Sequence, residues 1–93
     1  MIDCFACSSD DAALAVIGAL RQCGRAVPAD AAVIGCSNSM AGIFTLSPLT
    51  TIAFDEEALV SYIVTSFTAL LHGQTVHPIA PQDIVDLVVR DSA

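Results

Sequence analysis

The apolar positions of this chain fall into short compact runs separated by brief polar punctuation. Ile2 to Cys7 is such a run and predicts a buried strand. Ser8-Ser9-Asp10-Asp11 then predicts a helix start. Ser8 and Asp11 have the spacing of a capping box, and the aspartate pair suits the positive end of a helix dipole. Ala12 to Cys23 is rich in Ala and Leu and poor in β-branched residues, which favours helix. Gly24 stands where a left-handed cap belongs. Val27-Pro28-Ala29-Asp30 reads as a loop. Ala31 to Cys36 is continuously apolar rather than alternating, as strands of a parallel sheet tend to be. The polar Ser37-Asn38-Ser39 sits at its carboxyl end. Met40 to Leu46 predicts a brief helix stopped by Ser47-Pro48, and Thr50 to Phe54 is β-branched and strand-like.

Asp55-Glu56-Glu57 opens a second long helix, again with acid at its start. Leu59, Ile63, Phe67, Leu70 and Leu71 fall on one face of it, and Ser61, Thr65, Thr68 and His72 on the other. Gly73 follows as the stop. Thr75 to Ile79, broken by Pro78 and Pro81, suits an edge segment, and Ile84 to Val89 predicts a last strand. Strands and helices therefore alternate, which predicts an α/β fold with a largely parallel sheet and flanking helices. Ligands of such sheets collect beyond the carboxyl ends of the strands. Here those ends are Cys7-Ser8-Ser9, Cys36-Ser37-Asn38 and Phe54-Asp55, three small polar loops expected to converge on one crevice.

Composition narrows the function classes. At 93 residues the chain makes one domain at most. With 55% hydrophobic and only 14% charged residues it is too apolar for intrinsic disorder. Ten acidic residues against three arginines leave a net charge of −7, the wrong sign for neutralising phosphates. The longest apolar run, Ala12 to Ile17 continued by Gly18 to Leu20, is about half of the roughly 20 residues a membrane span needs. The start, Met1-Ile2-Asp3-Cys4, lacks the basic segment and long apolar core of a signal peptide, so a cytoplasmic chain with reduced thiols is expected. The apolar fraction is high for this length, which implies that some of it faces another subunit or a partner segment outside this chain.

Sharper chemistry finds little support. Cys4-Phe5-Ala6-Cys7 is a CxxC, but on an extended strand its two side chains point to opposite faces about 10 Å apart. A disulfide does not span that distance. A redox or zinc role for the cysteines, with Cys7 as the reactive thiol of a small enzyme, is thus the weaker alternative to two small core residues. His72 suits a helix end and His77 a loop, and neither lies near the three polar loops. Asp10-Asp11 and Glu56-Glu57 read as helix-start charges rather than paired catalytic acids. No cofactor, metal site or enzymatic activity is expected.

The residues also carry a resemblance. Phe5-Ala6-Cys7-Ser8-Ser9-Asp10-Asp11-Ala12-Ala13-Leu14-Ala15, then Ala19 to Asp30 with its Gly24 and Val27-Pro28-Ala29-Asp30, then Val33-Ile34-Gly35, and finally Ser47-Pro48-Leu49-Thr50-Thr51-Ile52 follow one another in a fixed order and spacing. From about Ile2 to Arg90 this resembles the C-terminal part of the effector-binding domain of the lactose/galactose-repressor (LacI/GalR) family of bacterial transcription regulators.

The resemblance implies a fragment of a periplasmic-binding-protein-like domain. In that domain two α/β lobes hinge around a small sugar- or nucleoside-like effector. The chain, residues 1–93, would supply one incomplete effector-binding domain. Residues up to about Ile52 and the strand from about Ile84 would belong to the C-terminal lobe, and the helix of residues 55–72 would pack on the other lobe. DNA would be reached only through a helix-turn-helix region absent from this chain. The implied ligand-binding residues are Ser9 with its neighbour Asp10, Ser37 with Asn38, and Phe54. Ser37 stands where the family usually has an acid. A serine cannot replace the charge with which a carboxylate accepts two hydroxyl hydrogen bonds. Phe54 replaces a position often polar in relatives and offers a ring for stacking. The family dimerises through the C-terminal lobe, and the matching positions are Leu14, Gly18, Ala41, Phe44 and Thr45, so a homodimer is implied. The runner-up is a structural dimerisation module that has lost its ligand.

Overall fold

The computed structural model describes residues 2–93. The chain divides into two compact units. The first runs up to Ala53 and resumes at Leu87, and the second is Phe54–Asp86.

In the first unit, β1 (Cys4–Ala6) and β2 (Ala32–Cys36) pair in parallel, with Phe5 opposite Val33. β2 in turn pairs in parallel with β3 (Thr50–Phe54), with Gly35 opposite Thr51. α1 (Asp10–Gln22) connects β1 to β2, and the short α2 (Met40–Ile43) lies between β2 and β3. The helix begins at Ser9, whose hydroxyl accepts from the Ala12 amide at 3.1 Å. The capping residue is therefore Ser9 and not Ser8: the hydroxyl must reach an amide three residues on, and the first helical residue is Asp10, one residue later than a Ser8 cap needs. Gly24 closes the helix with φ +71°, as its position predicts.

α1 turns Ala13 and Ile17 onto Val33 and Leu49, and these four form the buried core. Phe5, Cys7, Leu14, Val16, Leu20 and Val27 pack around them, half-buried. A core this small needs polar stitching, and the returning chain supplies it. β4 (Val85–Val88) follows β3 in the sheet order β1-β2-β3-β4. Beyond it, Thr50 meets Arg90 while Pro48 meets Asp91 and Ser92, so the chain returns antiparallel to β3.

Ser92, wholly buried, ends this stitch. Its hydroxyl donates to the Val33 carbonyl at 2.6 Å and accepts from the Thr50 amide at 2.8 Å. Its backbone carbonyl accepts from the Val33 amide. Ser92→Ala leaves two buried backbone groups of the central strands short of a partner, and a loss of about 2 kcal/mol is expected, read as a lower urea midpoint at unchanged slope.

The second unit consists of α3 (Glu56–Leu71), a 3-10 turn at Pro81–Asp83 and the chain around them. Asp55 caps α3 by accepting from the Ala58 amide at 2.9 Å, and Gly73 ends it with φ +68°. One expectation fails here. Thr75–Ile79 forms no strand: Pro78 and Pro81 lack the N–H a ladder needs, and the Tyr62 hydroxyl instead donates to the His77 carbonyl at 2.7 Å. On the apolar face of α3, Ile63, Phe67, Leu70 and Leu71 are all exposed. The half-covered side runs through Leu59, Tyr62, Ser66 and Ala69. Residues 72–86 reach only that side, where small residues and the Tyr62 hydrogen bond let the chain approach.

Candidate functional site

Two of the three polar loops meet at the carboxyl ends of β1 and β2, and the residue that joins them is Asp10. Helix α1 starts directly after β1, so its first turn stands over the tips of the neighbouring strands. Asp10 is only 2% exposed there. One carboxylate oxygen accepts from the Thr51 hydroxyl of β3 and the other from the Ser39 amide after β2, both at 2.6 Å. Two glycines make room for it. A Cβ built on Gly35 would overlap Asp10 Oδ1, and one on Gly42 would lie 3.4 Å from Asp10 Oδ2. Burial pushes the Asp10 carboxyl up, but hydrogen bonds from Thr51, Ser39 and Cys36 outweigh it and hold the group below its ordinary range. Asp10 was expected to line the pocket. It is instead a buried anchor beneath the tips, because its oxygens are engaged by the protein itself.

Above this anchor the backbone takes an uncommon path. Ser37 and Asn38 both have positive φ, +109° and +54°. Such angles cost a non-glycine residue energy and persist only where surrounding contacts enforce them. Here the Ser37 amide donates to the Ile52 carbonyl at 2.8 Å and the Asn38 amide to the Thr51 hydroxyl at 3.2 Å. The Asn38 side chain is held as well: Arg90 Nη2 donates to Asn38 Oδ1 at 2.6 Å, while Arg90 Nη1 donates to the Leu49 carbonyl at 2.8 Å.

Ser37 and Asn38 are exposed at this tip and Ser9 is half-buried beside it, so the first unit brings together three of the sequence-predicted site residues. Phe54 opens the second unit, with its ring 41% exposed. Thr51 and Arg90, which hold Asp10 and Asn38 in place, lie outside the expected set of site residues. Their signals were slight: a hydroxyl in an otherwise apolar strand, and a cation that is the only one after Arg25.

The thiol alternative loses ground. All four cysteines are free, and burial, with Cys4 adding to it, pushes the Cys7 thiol up. A nucleophilic cysteine needs the opposite shift. Among the described residues no group of three His, Cys, Asp or Glu side chains is placed to hold a metal ion. No helix among the described residues is long and apolar enough to cross a membrane.

The positions matched to a dimer contact lie on α1 and around α2. Gly18 and Ala41 are exposed, and Leu14 and Thr45 are half-buried. Phe44 is 78% exposed, flanked by Met40 and Leu46 at 68% and 90%.

Comparisons with known proteins agree with this architecture. Residues 3–93 match the family described as periplasmic binding protein-like domain. The chain is 36% identical over 86 residues to an uncharacterized HTH-type transcriptional regulator in the aml 5′ region of Streptomyces limosus, covering 92% of this chain and 24% of that protein. Its fold matches the transcriptional repressor ascG of Escherichia coli with a TM-score of 0.75 at 25% identity, over 98% of this chain and 33% of the repressor. It matches the transcriptional regulator CelR, solved with cellobiose, with a TM-score of 0.78 at 28% identity, over 98% of this chain and 28% of CelR. The chain thus spans between a quarter and a third of these relatives. With its β-α-β order, its polar strand tips and this match across almost all of its length, the chain belongs to the periplasmic binding protein-like domain family, and it shares its fold with LacI-family transcriptional regulators.

Proposed function

We propose that this chain is the effector-sensing and dimerising part of a LacI-type transcription regulator. A small sugar- or nucleoside-like molecule binds at the strand tips of the first unit, against Ser9, Ser37 and Asn38. The carrying observation is the rigid left-handed Ser37–Asn38 tip, seated on buried Asp10. Backbone strain of this kind collects at ligand sites. Binding shifts the population of two arrangements of the regulator, and the shift changes the placement of its DNA-binding parts in the dimer. Contact with DNA rests with a helix-turn-helix region outside these residues, in a cytoplasmic regulator. The first unit and the strand that returns to it are our C-terminal-lobe portion, and α3 is the helix that serves the other lobe.

The homodimer contact runs over Leu14, Gly18, Ala41, Phe44 and Thr45. What supports it is the exposure of Phe44 between Met40 and Leu46 on one short segment. The second reading, a dimerisation module without ligand, rests on the same surface and on Ser37 in place of an acid.

A thermal-shift titration with a panel of neutral sugars, sugar acids and sugar phosphates separates the two. An effector at about a hundred times its Kd adds about 2.7 kcal/mol, a rise of several degrees in Tm. A stable dimer with no response across the panel favours the module. Phe44→Asp is expected to weaken the dimer about a hundredfold or more, so that light scattering at micromolar concentration returns the monomer mass. Phe44 is the decisive position because it is too exposed to disturb the monomer, whereas Leu14→Asp also strikes the core it packs on. An unchanged mass for both variants removes the interface.

A further inference from the structure

Building on the sensing role above, we propose that the group recognised at this tip is an anionic hydrogen-bond acceptor rather than the hydroxyls of a neutral sugar. Arg90 acts as the positioning residue that sets this preference. A guanidinium carries N–H donors and no acceptor, so its contact with Asn38 leaves one arrangement of the amide: the oxygen faces Arg90. The other edge of the amide, Nδ2 with its two hydrogens, is the one Asn38 has to offer a ligand. The residue does not swing round, because its amide N–H is bound to Thr51 and its φ is fixed at +54°.

Ser37 adds a neutral hydroxyl, and Arg90 itself puts a positive charge one amide away. Asp10, the carboxylate bonded to this tip, is buried with its oxygens committed to Thr51 and Ser39, so its charge is spent inside the protein. A tip whose fixed donor is Nδ2, whose Ser37 hydroxyl donates or accepts, and whose nearby charge is positive gains less from the hydroxyl of a neutral sugar. It is well matched to an anionic oxygen, because N–H donors make their shorter and stronger bonds to charged acceptors. The chemistry is shared by the carboxylate of a sugar acid and the phosphate of a sugar phosphate.

The test is a thermal-shift and calorimetric titration of the 93-residue chain with D-galacturonate, D-glucose 6-phosphate, D-galactose and cellobiose. At least one of the two anions is expected to raise Tm by several degrees while the neutral sugars leave it in place. The first two probes decide between carboxylate and phosphate. Asn38→Asp keeps the acceptor toward Arg90 and replaces the outward amine with oxygen, so affinity for the anion should fall at least tenfold with the fold intact. Ser37→Asp should move the response toward the neutral sugars. The Asn38 side-chain NH2 resonances should shift as the anion is added, a change that a purely structural Asn38–Arg90 contact would not give. A larger response to neutral sugars than to anions overturns the ligand class and leaves the sensing role standing. So does an Asn38→Asp variant that keeps its anion response. If no probe moves Tm or calorimetric heat in the native chain or in Ser37→Asp, the inference and the sensing role fall together.

Discussion

Asp10→Ala is expected to cost about 3–5 kcal/mol, a large part of the 5–10 kcal/mol or so that holds a domain of this size together. Two donors lose their acceptor at once, the Thr51 hydroxyl and the Ser39 amide, and the cleft between Gly35 and Gly42 is left without its filling. Asp10→Asn keeps the volume and one acceptor. It should lose about 1–3 kcal/mol, because its amide hydrogens have to be accommodated where the carboxylate only accepted. The two variants also differ from the native chain in their response to acid. The folded-state carboxyl titrates below its ordinary value of 3.8, so its ionised form favours the fold. That contribution is fully present above about pH 4 to 5 and fades as pH falls below 3.8 through the lower folded value. Urea midpoints taken between pH 7 and pH 2.5 should therefore converge for the native chain and Asp10→Asn at the acid end. Parallel curves with a constant gap would show that the charge of Asp10 contributes nothing.

Gly35→Ala should be at least as damaging, although it adds a single methyl group. The new Cβ would overlap Asp10 Oδ1, lie 2.7 Å from Leu49 Cδ2 and stand 3.2 Å from the Asp10 Cα. The last contact is backbone, so no side-chain rotation relieves it. Either β2 moves off its neighbours or α1 lifts from the sheet, and either movement separates Asp10 from Thr51. A loss of about 3 kcal/mol or more is expected, at the upper end for overpacking. Gly18→Ala is the internal comparison. Its Cβ would meet nothing within 4 Å, and a helical glycine replaced by alanine gains about 0.5–1 kcal/mol. Thermal melts of the two variants should move in opposite directions. A Gly35→Ala chain as stable as the native one would mean that the seat of Asp10 is loose.

Much of this fold was legible because its signals are local. The continuous apolar run before Cys36, the β-branched Thr50–Phe54 and the glycines that end α1 and α3 each act within a few residues, and each led to the right element. The errors came where the deciding partner is distant or where two neighbours compete. Ser8 and Ser9 are equally good caps by type, and only the exact start of α1 selects between them. The periodicity of α3 showed where the large apolar side chains lie but not which side the rest of its unit would reach, and a hydroxyl at Tyr62 decided that. Asp10 looked like a helix-start charge, and it does occupy the first turn of α1. Its partner Thr51 is 41 residues away, a pairing that no spacing rule reveals. Arg90 reaches Asn38 across 52 residues in the same way.

The separation between Ser92 and its partner strand has a consequence for biosynthesis. Ser92 meets Val33 across 59 residues, with the whole second unit intervening. While the ribosome is still making Phe54–Asp86, the sheet of the first unit has to wait with Val33 and Thr50 unsealed. Contacts of such high order are slow to form. A nascent chain at this stage displays raw strand edges to whatever is nearby, which makes it a natural client for holding chaperones. A premature stop between Phe54 and Ser92 should therefore send the product to proteolysis rather than leave a shorter working domain.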